Sequence, residues 1–83
     1  MIYPMFAIRD KYTCFMSPTV DQSVESAKRG FSYAINNNPG LMNFAPADYD
    51  LYQIAEFDSE SGEVKPLKAN KFICNGVEVF NAK

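Results

Sequence analysis

The sequence predicts an α+β fold in which an antiparallel β-sheet is covered by one helix, with elements in the order β-β-α-β-β and room for a terminal β pair. Three observations predict it. Apolar residues recur at helical spacing in a single stretch, Val20 to Ile35. Short aromatic and β-branched runs lie on both sides of that stretch, and turn-forming residues separate them at close intervals. The 83 residues are expected to form one domain, residues 1–83, and the composition is that of a folded chain: 47% hydrophobic, 14% aromatic and 22% charged. A chain of this size buries only about 60% of the surface it exposes when unfolded, so a homo-oligomer is expected to complete the core.

The elements follow in order. Ile2 to Ile8 is an apolar run of strand length, and Pro4 limits its start to an edge or a bulge. Arg9-Asp10-Lys11 is a polar turn and Tyr12 to Met16 resumes an extended aromatic pattern, so the first 17 residues read as a hairpin. Val20, Val24, Ala27, Phe31, Ala34 and Ile35 then form one face of a helix. Thr19 and Gln22 have the form of a capping box in front of it, and the cluster Asn36-Asn37-Asn38-Pro39-Gly40 ends it. The connection 39–49 carries Leu41, Met42, Phe44 and Tyr49, which predicts that it packs on the body, with Pro46 suited to start a helical turn. Asp50 to Phe57 reads as a central strand, Asp58 to Gly62 as a tight turn with Gly62 at positive φ, and Glu63 to Leu67 as a strand that Pro66 places at a sheet edge. Phe72–Cys74 and Val77–Phe80 flank Asn75-Gly76, the pattern of a last hairpin.

The residue inventory points away from catalysis. There is no histidine, which removes the commonest general base, the commonest metal ligand and the usual partner of a Ser or Cys nucleophile. No glycine-rich phosphate loop is present, and Cys14 and Cys74 stand apart, so two free buried thiols are expected rather than a zinc or disulfide site. Asp58-Ser-Glu-Ser-Gly-Glu lacks the length and ligand positions of a calcium loop. A non-enzymatic chain with no cofactor and no metal is therefore expected. Residues 1–8 lack a basic leader and a cleavage site, and no apolar stretch approaches the ~20 residues of a membrane span, so a cytoplasmic location without membrane contact is expected.

Eight Lys and Arg against ten Asp and Glu give a net charge of −2, the opposite of the usual nucleic-acid binder. Cations nevertheless interleave with aromatic residues, the pattern that tracks a phosphate backbone while stacking its bases. The candidate nucleic-acid-binding residues are Arg9, Lys11 and Tyr12 in the first hairpin and Lys28, Arg29 and Tyr33 on the helix, with Lys65, Lys68 and Lys71 as a third basic cluster. The competing structural reading makes Phe6, Phe15 and Phe31 core residues and the cations ordinary solvated surface.

Residues 44–64, FAPADYDLYQIAEFDSESGEV, resemble the signature segment of the small nonstructural protein of gokushoviruses (Microviridae), tailless phages with single-stranded circular genomes. In that family a Pro-x-Asp-Tyr-x-Leu-Tyr-x-Ile-(Gly or Ala)-x-Phe-Asp-x-x-(Ser or Thr)-Gly pattern follows a helix ending in Val/Ile-Asn. Pro46 through Gly62 matches that pattern, and Arg9-Asp10-Lys11 and AKRGFSYAIN, residues 27–36, precede it in the same order. Ala55, where glycine is commoner, and the tail after Leu67 depart from it. The resemblance implies a protein of the host cytoplasm that is absent from the virion, has no enzymatic activity, binds single-stranded DNA and assists viral strand synthesis or packaging. The phage replication initiator or procapsid proteins are the protein partners expected if the chain acts as an adaptor. Within the motif, Leu51, Tyr52, Ile54 and Phe57 are expected to fill a core, Asp58 and Gly62 to shape the turn, and Asp48 to orient Tyr49. The alternative is a protein-interaction adaptor for the replication or procapsid machinery that makes no DNA contact, a reading the acidic charge favours.

Overall fold

The computed structural model describes residues 1–37 and 40–81. Strands β1 (Ile2–Asp10), β2 (Thr19–Val20), β3 (Tyr49–Asp58) and β4 (Val64–Asn75) form one antiparallel sheet in the order β2-β1-β3-β4. Helices α1 (Val24–Asn37), α2 (Leu41–Phe44) and α3 (Gly76–Val79) and a 3₁₀ turn at Pro46–Asp48 complete the chain. The expected α+β architecture is present, with β3 inside the sheet and β4 at its edge.

The apolar face of α1 makes the core. Ala27, Phe31 and Ile35, at successive spacings of four, are buried against Phe6, Leu51 and Cys74, and Val24 and Ala34 pack at the margin. The helix starts later than the Thr19 capping box predicts. Ser23 supplies the cap, its Oγ accepting the Ser26 N–H at 3.1 Å, while Thr19 and Val20 pair with Phe6 and Met5 of β1. Two β-prone residues beside an open strand edge gain ladder hydrogen bonds there, and this outweighs a helix extension. At the far end Asn36 Nδ2 donates to the carbonyls of Ser32 (2.8 Å) and Val79 (2.9 Å), which ties α1 to α3. Asn38 and Pro39 of the predicted stop signal lie outside the described residues.

The first hairpin differs from expectation. β1 continues through Arg9 and Asp10, and residues 11–18 return beside it with one bridge, Arg9 to Phe15, and a Met16 N–H to Ile8 carbonyl bond of 2.7 Å. A regular second strand is prevented because the turn backbone is bound elsewhere. Lys11 N–H donates to the Asp48 carbonyl at 2.9 Å, and Tyr12 N–H donates to Asp10 Oδ1 at 3.0 Å. Cys14 on this segment is free but exposed, contrary to the expected burial; Cys74 is buried.

The β3–β4 turn forms as expected. Gly62 takes φ 80°, and Asp58 Oδ1 accepts the Glu60 N–H at 2.9 Å, which holds the Asp58 carboxyl below the usual range. The predicted last hairpin is absent. β4 runs unbroken to Asn75, and Asn75-Gly76 opens α3. Asn75 Oδ1 accepts the Val77 N–H (2.9 Å) and Glu78 Oε2 accepts the Asn75 N–H (2.8 Å), a reciprocal cap that satisfies two donors and competes successfully with a turn. Gly76 is also required by packing, since a Cβ there would run into the Pro46 carbonyl and lie 3.0 Å from Ile35 Cδ1. The connection 40–48 packs only partly: Met42 is buried, but Leu41 and Phe44 are exposed.

The two helical glycines give opposite stability predictions. Gly76→Ala must displace backbone and is expected to cost about 1–3 kcal/mol, whereas a Cβ at Gly30 meets no atom within 4 Å and Gly30→Ala is expected to gain about 0.5–1 kcal/mol of helix stability. Thermal unfolding followed by circular dichroism checks both, with Tm falling for the first and rising for the second.

Candidate nucleic-acid interface

Strand alternation assigns the two faces of the sheet. Phe6, Ile8, Leu51 and Cys74 face α1, and the cross-strand set Ala7–Tyr52–Phe72, with Arg9 two residues further along β1, faces the other way; an extra residue in β4, Ile73, is what puts Phe72 and Cys74 on opposite faces. Both α2 and α3 contact α1, so the helices form one layer and leave the reverse of the sheet open. Three aromatic rings lie across that open face. The Phe15 and Tyr52 centroids are 5.6 Å apart at 73°, and those of Tyr52 and Phe72 are 5.8 Å apart at 76°. The Arg9 guanidinium sits 5.8 Å from the Phe15 centroid. Both contacts are favourable for ring quadrupoles, edge to face between rings and cation over face for Arg9. Phe15 is 39% exposed and Phe72 52% exposed, so the row faces solvent.

The six residues named from the sequence fall into two groups on opposite sides of the sheet. Arg9, Lys11 and Tyr12 lie at the end of β1 and in the turn after it, with Tyr12 fully displayed and Lys11 Nζ 3.9 Å from Asp50 Oδ2. Lys28, Arg29 and Tyr33 are on α1, in the layer behind the sheet; Arg29 and Tyr33 are exposed and Lys28 is half-buried. Lys65, Lys68 and Lys71 line the β4 edge and are exposed.

Several acidic groups near the open face have structural work. Asp50, the register partner of Arg9 and 7% exposed, accepts from Asn75 Nδ2 at 2.7 Å and faces Lys11. The same Asn75 amide donates to the carbonyls of Ala47 (2.9 Å) and Tyr49 (3.3 Å), which fixes the 3₁₀ turn to the sheet. Tyr49 is buried, and burial pushes its phenol up, with the carboxylates of Asp10 and Asp48 adding to the rise. Asp48, which the sequence reading set to orient Tyr49, acts on that phenol through its charge, after Asp10. Burial likewise raises the Cys74 thiol, which therefore stays protonated and apolar. Among the described residues no three Cys, Asp or Glu side chains gather as a metal site.

The sequence reading missed Tyr52 and Phe72. Tyr52 was expected in the core but belongs to the open face. Counting back from the turn sets Ala55 opposite Pro66, and continuing that register would set Tyr52 opposite Ala69. Instead residues 67–70 bulge opposite Ile54 alone, which brings Phe72 beside Tyr52. Pattern alone does not signal a bulge of that size. The aromatic identity of both residues was the available hint.

Compared with models of known families, residues 3–79 match the one described as phage ORF5 protein. The comparison with curated proteins finds no match, and neither does the comparison with solved structures.

The Tyr49 environment predicts an alkaline signature. Its phenol stays neutral in the folded chain above pH ~10, where an unfolded tyrosine ionises, so its contribution to stability is complete below that pH and is lost as pH rises toward the raised folded pKa. In a tyrosinate absorbance titration the wild type is expected to show one late component that Tyr49→Phe lacks. The variant's denaturant stability is expected to fall less steeply at alkaline pH; superimposable profiles would refute the assignment.

Proposed function

This chain belongs to the phage ORF5 protein family, and from that premise we propose that it is a non-enzymatic gokushovirus-type protein of the host cytoplasm that binds single-stranded DNA and assists viral strand synthesis or packaging. The observation that carries the reading is the state of its cations. Among the described residues the side-chain ion pairs are Lys11–Asp50 and Lys65–Glu63, both at 3.9 Å, which leaves Arg9 at the open face and Lys68 and Lys71 at the β4 edge with no carboxylate within 4 Å; Lys28 and Arg29 are also unpaired but lie in the helical layer. Several of the acids behind the net charge of −2 are occupied: Asp50 by Asn75, Glu78 by the α3 cap, Asp58 by the turn. These carboxylates keep their charge, so the positive potential offered to a strand comes from Arg9 at the open face and the unpaired lysines of the β4 edge. A homo-oligomer would align several such surfaces along one strand and raise affinity by avidity.

A second reading has its own observation. Leu41 is 68% and Phe44 84% exposed on α2, an apolar pair suited to an adaptor that docks on the replication initiator or the procapsid. Charge removal separates the two, because an adaptor keeps its partner when Arg9 is neutralised.

Fluorescence anisotropy of a labelled oligo-dT across a salt series tests the DNA role. Affinity is expected to fall steeply with salt, and Arg9→Gln to weaken binding and flatten the log–log slope by about 0.7, the share of one phosphate contact on a single strand. Absence of binding at low ionic strength by every oligomeric form removes the DNA role.

A further inference from the structure

We propose that the ring row Phe15–Tyr52–Phe72 is a stacking platform for unpaired nucleobases, so that the site engages bases as well as phosphates; this deepens, and rests on, the DNA-binding reading above. The row is open because the helices share the other face of the sheet. In its edge-to-face contacts, at 73° and 76°, each pair covers one face of one ring only, and Phe15 and Phe72 keep ring surface open to solvent. Ala7, the strand partner of Tyr52, is small enough to let the rings of Phe15 and Tyr52 approach across β1.

Charge selects the occupant. Arg9 lies over Phe15 at one end of the row and lacks a carboxylate within 4 Å among the described residues, whereas Lys71, the register partner of Gln53, belongs to the other face of the sheet. The one carboxylate of this face near the row, Asp50, is almost fully buried and held by Asn75 and Lys11. The acids of the turn, Asp58, Glu60 and Glu63, begin six residues along β3 from Tyr52, about 20 Å at strand rise. Rings beside an unpaired arginine fit a polyanion whose bases are free, which a single strand offers and a duplex does not. A second copy adding a strand at β4 is disfavoured by Pro66 and by the exposed Lys65, Lys68 and Lys71 along that edge.

The test compares oligo-dT with an abasic strand of equal length at one low salt concentration. With five tyrosines and no tryptophan, the chain's own tyrosine emission reports stacking, and the quenching that Tyr52→Phe loses is the share of Tyr52. Tighter binding of oligo-dT with tyrosine quenching is expected. Phe72→Ala, at a half-exposed position that spares the core, should lose about 5- to 150-fold on oligo-dT and almost nothing on the abasic strand, with the salt slope unchanged; Tyr52→Phe should bind as wild type. Equal binding of the two strands, unaffected by Phe72→Ala, overturns the platform while leaving a phosphate-only DNA reading standing. Binding of neither strand overturns both. A fall in light-scattering mass for Phe72→Ala with DNA affinity unchanged also overturns it, assigning the row to contact between copies.

Discussion

One helix cannot cover both faces of a sheet, and the rest of the molecule follows from that limit. The 14 residues of α1 present a single apolar stripe, Ala27, Phe31 and Ile35, which is satisfied by Phe6, Leu51 and Cys74. Each of the two large side chains at this contact, Phe6 and Phe31, is worth a few kcal/mol of burial, a large share of the stability open to a domain of this size. The short helices α2 and α3 extend the same layer. The reverse face is left to whatever the alternating residues of β1, β3 and β4 place there.

What they place there is aromatic and cationic. β3 is paired on both sides, so alternate residues serve two environments: Leu51 enters the core while Tyr52 turns out to join Phe15 and Phe72. The interruption at Ile54 in both ladders adjusts this arrangement. An extra residue opposite β1 and a four-residue excursion of β4 reset the register, and without them Phe72 would not stand beside Tyr52. Asn75 secures the same region by accepting for α3 and donating to Asp50 and two carbonyls at once.

Much of this scaffold was legible in the residues. The helical spacing of Ala27, Phe31 and Ile35, the glycine at the end of the 58–62 turn and the edge position signalled by Pro66 depend on local chemistry, and each is present. Errors arose where a distant partner decided between two local options. Thr19-Val20 has both cap and strand chemistry, and the free edge of β1 chose strand; Asn75-Gly76 suits a turn or a cap, and the Pro46 carbonyl and Glu78 chose the cap. The candidate site was half visible for the same reason. Arg9 and Phe15 are near in sequence, whereas their association with Tyr52 and Phe72 depends on pairings across the sheet and on a bulge no periodicity announces.

Backbone amide shift mapping during titration with oligo-dT at low ionic strength tests most directly the proposal that the open face, rather than the helical layer, is the nucleic-acid surface. The largest changes are expected at Arg9, Phe15, Tyr52 and Phe72, with Lys28, Arg29 and Tyr33 little moved. Changes concentrated on α1 or on Leu41 and Phe44, with the sheet residues still, would contradict it.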